Sequence, residues 1–263
     1  MEAVLLERAF VRVAGPEAEA YLQGQLSNDV TQAPVGLSFL LEPTGKVAAL
    51  LRWQRQGTDE LLLDTDAEAG DVLLARLRRF LLRTKATVDP EEHRVLRVFG
   101  GRPASVATLP AVWPPADDAP VDLVDAELPA GVGDLDRLGY DRRRILAGVP
   151  VCGVDIGAET IPAEVGRWAI ETAVSFTKGC YTGQELVARI DSRGGNVPRP
   201  LRVLQSADGA TMPPVADVLD DAGDVVGRVT SAAADVALGP VLRKVEPGGA
   251  VRLADGPAAV VLR

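Results

Sequence analysis

At 263 residues the chain is too long for one ordinary core, so two or three domains are expected. Apolar residues at 47% and charged ones at 25% describe a globular protein, and no apolar run reaches the ~18–20 residues of a membrane span. A net charge of −9 disfavours direct nucleic-acid binding.

The opening stretch MEAVLLERAFVRVAG carries Glu2 and Glu7 and lacks the basic-then-apolar layout of a secretion signal. With only Cys152 and Cys180 present, a cytoplasmic protein with free thiols is expected. AFVRVAG alternates as a strand. Pro16, Glu17 and Glu19 suit the first turn of a helix whose apolar stripe is Tyr21, Leu22 and Leu26. After an SND turn at 27–29, FLLEPTGKVAALLRW and DELLLDTD read as strands punctuated by Gly, Pro and Asp.

The spacing then predicts an amphipathic helix over 68–82. Leu73, Leu77, Phe80 and Leu81 form its apolar stripe, while Arg76, Arg79 and Arg83 line another face. That cationic face reads first as solvated and second as an anion site. TKATVD and HRVLRVFG are further strands, and this interleaving implies an α+β fold of split βαβ type. Residues 102–139, which include PAVWPPADDAP, read as a linker or a shortened subdomain. YDRRRILAGVP (140–150) is a short helix stopped by Gly148 and Pro150. From Pro198 onward, closely spaced short apolar runs broken by Gly, Asp and Pro predict a small β-barrel or sandwich.

Residues 178–185 read KGCYTGQE and run into ELVARI, a helix start. In an extended strand, side chains i and i+2 share a face, so Lys178 is expected beside the Cys180 sulfur. The helix N-terminus adds partial positive charge and unpaired N–H donors. Both placements favour thiolate over thiol and make Cys180 and Lys178 the candidate reactive pair. The alternative is a buried cysteine beside a solvent-facing lysine. Cys152, in VPVCGVD with no cationic neighbour, reads as a small buried hydrophobe, and His93 as a surface residue without a ligand role.

The octapeptide is flanked by IPAEVGRWAIETAVSFT and by LVARIDSRGGNVPRPL. With VRVAGPEAEAYLQGQLSNDV, EPTGKVAALLRW and RFLLRTKATV, the whole resembles the YgfZ family of folate-binding proteins, relatives of the glycine-cleavage T-protein, an aminomethyltransferase. The resemblance covers nearly the whole chain and is weakest at 95–138. It implies an α+β fold of three domains in a ring: two split βαβ-like domains plus a small C-terminal β-barrel, with a folate pocket near the centre. The expected division is 1–45 with 140–197 as a discontinuous folate-binding domain, 46–139 as an inserted α+β domain, and 198–263 as the barrel.

The same resemblance implies tetrahydrofolate or a derivative as cofactor. Its candidate ligands are Asn28, Asp29, Glu164, Tyr181, Gly183, Gln184, Glu185 and Arg189, with Arg83, Lys85 or Arg193 as further candidates for the anionic tail. A pterin offers an amide edge that a carboxylate or amide side chain addresses with paired hydrogen bonds, and Trp168 is a candidate for stacking. Aminomethyltransferases carry an acidic pair after a Gly-Gly turn, whereas this chain has Ala48 and Ala49 there. Without a carboxylate nothing at that point stabilises an iminium-like intermediate, so one-carbon transfer stands as the alternative function. The implied role is support of assembly or repair of iron–sulfur enzymes, including tRNA-modifying ones, with iron–sulfur client or assembly proteins as partners; a non-catalytic folate-binding module is a further alternative. A cluster takes four ligands, mostly thiolates, so a chain with two cysteines and one histidine cannot cage one by itself, and no metal site is expected. A monomer is expected.

Overall fold

The computed structural model describes residues 1–104 and 106–262. Two strands open the chain, β1 (Glu2–Leu6) and β2 (Arg8–Ala14), followed by helix α1 (Ala18–Gln25). Strands β3 (Val35–Leu41), β4 (Val47–Gly57) and β5 (Glu60–Asp66) lead into α2 (Gly70–Arg79) and β6 (Thr87–Glu91). Next come β7 (Val95–Phe99), β8 (Leu109–Pro110), β9 (Val121–Val124) and β10 (Gly133–Asp134). Four helices follow: α3 (Arg137–Leu146), α4 (Pro162–Val165), α5 (Arg167–Ala173) and α6 (Gln184–Asp191). The last seven strands are β11 (Leu201–Ser206), β12 (Ala216–Leu219), β13 (Val225–Val229), β14 (Ser231–Ala233), β15 (Val236–Pro240), β16 (Ala250–Leu253) and β17 (Ala258–Val261).

These strands form three sheets. One has the order β10-β1-β7-β9-β8, another β3-β4-β5-β2-β6, and the third is the C-terminal seven-stranded sheet β13-β12-β16-β17-β11-β15-β14. A bridge between Gly227 and Val241 brings β13 back onto the far side of this last sheet, so it closes into the expected barrel. Glu7 alone separates β1 from β2, and the chain changes sheets across it, a bend that joins two sheets through one corner. The hydrogen bonding does not follow a boundary at 45/46. The β3–β4 hairpin crosses it, paired from Val35↔Gln54 to Leu41↔Val47.

Two other expectations change. The Pro-rich region is more than a linker: Val121–Val124 pairs with β7, with Val121 and Leu123 packed in a core cluster and Asp122 turned to buried arginines. In α2, Leu73 and Leu77 face the main aliphatic core as predicted, but Arg76 does not sit on a solvated face. It is buried, donates to Leu41 O (2.9 Å) and Gln25 Oε1 (3.2 Å), and stacks 3.8 Å over the Phe80 ring. Its aliphatic stem and flat head allow this burial where a lysine would be less suited.

The two five-stranded sheets meet at a buried cluster of three arginines and three aspartates. Arg8 pairs with Asp64 and Asp66, Arg52 with Asp64 (2.7 Å) and Asp122 (2.8 Å), and Arg97 with Asp122 (2.8 Å). The Arg52 and Asp122 side chains are wholly buried. Burial alone would raise the Asp122 pKa, but Arg97 and Arg52 outweigh it and hold the carboxyl well below the usual carboxylate range. Asp66 also accepts the Cys152 N–H, tying the segment before α4 into the same cluster.

Candidate functional site

The KGCYTGQE segment begins where α5 ends. Beyond Ala173 the chain is irregular until α6, and it is fastened to the end of α1 and the turn after it. Ser27 Oγ donates to Ala173 O (2.6 Å), and Ser175 N donates to Ser27 O (3.0 Å). Lys178 supplies the main anchor: its Nζ donates to Gln23 O (2.8 Å), Leu26 O (2.7 Å) and Asn28 O (2.8 Å). All three ammonium protons are therefore used on carbonyls at and just beyond the C-terminus of α1. A cation is favoured there by the helix dipole and by otherwise orphaned acceptors. Burial pushes the Lys178 pKa down to about 8, against the pull of Asp29, and the Tyr181 ring centroid lies 5.4 Å from Nζ.

This corrects the expected Lys178–Cys180 pair. Residues 178–180 are not a strand, so the i, i+2 rule does not hold them on one face. The ammonium faces the α1 turn and makes its hydrogen bonds there. Cys180 is exposed, and among the described residues its sulfur has no hydrogen-bond partner. Helix α6 starts four residues later, and the Tyr181 N–H is taken by Gln184 Oε1 (3.1 Å). The other cysteine is also free but differs fully in setting: Cys152 is buried, its sulfur accepts the Leu50 N–H, and burial pushes the thiol up to about 12.

The turn into α6 requires glycine. Gly183 caps the helix at φ +84°, and a Cβ there would lie 2.6 Å from Glu42 O and 2.8 Å from Leu41 Cβ. Opposite it, Gly45 at φ +83° packs against Leu186 so closely that a side chain would collide. The β3–β4 turn and the start of α6 thus approach backbone to backbone. Tyr181 is buried, whereas Glu185 and Arg189 are exposed on α6.

The remaining expected ligands are mostly occupied. Asn28 uses its amide to bond both Leu37 O and Thr172 O (2.9 Å each). Asp29 Oδ1 accepts from the Thr31 hydroxyl (2.7 Å), the Thr31 N–H (2.9 Å) and Gln23 (3.0 Å), and the Thr31 bonds foremost hold its pKa below the ordinary value. Glu164 is buried at the first turn of α4, accepts the Ile161 N–H (3.1 Å), and has its pKa raised by burial. Ala48 and Ala49 are buried in β4.

Two cavities border α5. The first, about 390 Å³, has walls from Leu37, Thr172, Trp113, Arg102, Asp117 and Asp118, with several prolines. Leu37 and Thr172 are the two residues that Asn28 ties together. The second, about 560 Å³, lies between Ile170, Glu171, Val174, Phe176, Asp191 and Gly195. Cys180, Asp29, Glu164, Tyr181, Gln184, Glu185 and Arg189 line neither. Nor do Arg83, Lys85, Arg193 and Trp168, so the structure does not gather the expected ligands around one cavity.

Several features had not been foreseen. Trp113 forms a wall of the smaller cavity and meets Phe99 edge-on. Phe176, on the loop that carries Cys180, is 52% exposed at the rim of the larger one. His93 bridges Asp125 (2.6 Å) and Glu91 (3.0 Å). The DPEE run beside His93 was the available sign that carboxylates were close to it.

No family model matches the chain. Curated relatives do. The chain is 30% identical over 219 residues to the tRNA-modifying protein YgfZ of Enterobacter sp. (strain 638), covering 72% of this chain and 67% of that one. It is 29% identical over a gapped alignment of 294 positions to the mitochondrial iron-sulfur cluster assembly factor IBA57 of Homo sapiens, covering 94% and 81%. An uncharacterized protein of Haemophilus influenzae is 31% identical over 196 residues, covering 73% and 69%. Among solved structures, the glycine cleavage system aminomethyltransferase T from Bartonella henselae superposes with a TM-score of 0.79 over all of this chain and 85% of that one, at 18% identity. That likeness establishes the fold.

Proposed function

The chain belongs to the YgfZ family, and from that premise we propose that it supports assembly or repair of iron–sulfur enzymes, tRNA-modifying ones included, with Cys180 as the reacting thiol and a reduced folate as ligand. The names carried by its relatives, a tRNA-modifying protein and an iron-sulfur cluster assembly factor, support the process. One observation carries the role of the thiol. Cys180 is exposed and, among the described residues, without a hydrogen-bond partner, on a loop whose neighbour Lys178 is anchored by three hydrogen bonds. A sulfur presented this way meets a partner without first breaking an internal bond. Lys178 is then a positioning residue, and Gly183 and Gln184 set the exit of the loop into α6.

The donor set of the 390 Å³ cavity fits a pterin with an anionic tail. Trp113 offers a ring face, Asp117 and Asp118 offer carboxylates to an amide edge, and Arg102 offers a cation. Asn28 contributes by holding Leu37 and Thr172 in the wall. With alanines at 48 and 49, the chain lacks the carboxylate expected for aminomethyl transfer, which supports folate as a bound ligand ahead of a turned-over one.

The test is reactivation of an iron–sulfur tRNA-modifying enzyme with purified protein, with and without tetrahydrofolate. Wild type is expected to restore activity and Cys180→Ala to fail while remaining folded. Equal recovery by the two proteins would remove the thiol from the mechanism. Calorimetric titration with tetrahydrofolate is expected to show binding that Trp113→Ala weakens, and an unchanged affinity would move the ligand elsewhere.

A further inference from the structure

The turn after α2 takes no part in the thiol loop or in the two cavities beside α5. Helix α2 ends at Arg79 and the chain reverses over residues 80–86 into β6. Leu82 stands at its tip, 80% exposed, more than any other large apolar side chain among the described residues. Arg83 beside it is held at φ +58°, a left-handed conformation that costs a non-glycine residue free energy and persists only where the surroundings enforce it. Arg79, Arg83 and Lys85 are exposed, and among the described residues none has an ion-pair partner. Arg78 adds a fourth cation, which donates to Val88 O (2.9 Å) and lies 3.7 Å from Asp89. Glu17, the carboxylate beside this turn, accepts the Lys85 backbone N–H (2.7 Å).

The helix dipole explains Arg78 and Arg79 in the last turn of α2. It does not explain Arg83 and Lys85, which lie beyond the helix, or a leucine left in water between them. A concentrated positive tip on a chain of net charge −9 selects negative partners by field and by contact. The chemistry of the tip separates the candidates. An RNA backbone would use the cations but offers Leu82 nothing, and the one aromatic ring here, Phe80, already has one face covered by Arg76 at 3.8 Å. A protein surface with carboxylates around an apolar depression uses both.

We propose that residues 78–85 form a docking knob for an acidic protein surface, with Leu82 seated in an apolar depression and Arg79, Arg83 and Lys85 pairing with surrounding carboxylates. This surface is independent of the Cys180 reading and of the folate cavity. Its test is fluorescence anisotropy of the full chain with a labelled helical peptide of Glu and Leu repeats, alongside the same peptide with Leu replaced by Ser, and bulk tRNA as competitor. Binding at 50 mM salt is expected, with at least a tenfold loss for Leu82→Ser, for Arg79→Glu with Arg83→Glu, and for the Ser peptide; tRNA should not compete. Arg83→Gly suits the left-handed backbone and removes one cation, so its weaker binding with an unchanged melting temperature separates lost contact from misfolding. No peptide binding, equal affinity for all variants, or displacement by tRNA through the same arginines would each overturn the assignment.

Discussion

The cluster between the two five-stranded sheets and the loop at Lys178–Cys180 both hold cations at least half withdrawn from solvent, yet they use them in opposite ways. In the cluster, Arg8, Arg52 and Arg97 meet carboxylates, so every charge is answered by a charge. On the loop, Lys178 gives its hydrogen bonds only to backbone carbonyls, and among the described residues the sulfur two positions away has no hydrogen-bond partner. Complete pairing makes the first region a lock between sheets. Backbone anchoring makes the second a mount, rigid at its base and open at its end. A cation near a cysteine in sequence need not act on the sulfur; it can fix the chain that presents it.

Breaking the lock should have the largest effect. Asp122→Asn removes a charge shared by two buried guanidiniums: Arg52 keeps Asp64, but Arg97 is left without a carboxylate partner. Removing one partner of a buried ion pair typically costs about 3–5 kcal/mol. Guanidinium-induced unfolding of the variant should show a loss in that range, and a change under about 1 kcal/mol would mean that solvent reaches the cluster. Cys180→Ala is the matched control, since it removes an exposed, unbonded side chain and should leave the unfolding midpoint where it was.

Loosening the mount comes next. Lys178→Met keeps a similar apolar stem but leaves the carbonyls of Gln23, Leu26 and Asn28 without their donor. A destabilisation of about 2–3 kcal/mol is expected from buried acceptors of this kind. The more telling readout is local: limited proteolysis should cut between 174 and 183 faster in the variant than in the wild type. If stability falls but the loop stays protected, the anchor lies in Ser27 and Ser175 instead.

The fold was largely written in the pattern of apolar residues, and the site only in part. The strands around FLLEPTGKVAALLRW and DELLLDTD, the stripe of Leu73 and Leu77, the helix from Gln184 and the terminal barrel follow local periodicity. The identity of a strand's other face does not. Arg52 lies inside the buried run from Val47 to Trp53, and only the sheet opposite, with Asp122, explains an arginine there. The Lys178 error has the same root. A two-residue spacing states a direction only if the backbone is extended, and the backbone here was set by carbonyls some 150 positions earlier. Gly183 and Gly45 were visible as glycines, but their mutual approach was not, because it belongs to tertiary contact.

The smallest effect concerns His93, whose charge depends on pH near neutrality. It joins Glu91 at the end of β6 to Asp125 just past β9, and so links the same two sheets as the arginine cluster, nearer the surface. Arg12 lies 3.7 Å from Glu91, the Arg94 N–H is bonded to Asp125, and the Phe10 ring lies 4.7 Å from the imidazole. Burial lowers the His93 pKa, but the bonds to Asp125 and Glu91 outweigh it and the net shift is upward. A base whose pKa rises on folding contributes stability that is full below its unfolded value, near 6.5, and fades as pH climbs through the folded value. So close to solvent, the contribution should be on the order of 1 kcal/mol or less. Melting temperatures of wild type and His93→Gln are expected to differ most below about pH 6.5 and to converge above the folded pKa. A gap that stays constant across that range would show that the histidine acts here by packing on Phe10 and not by its charge.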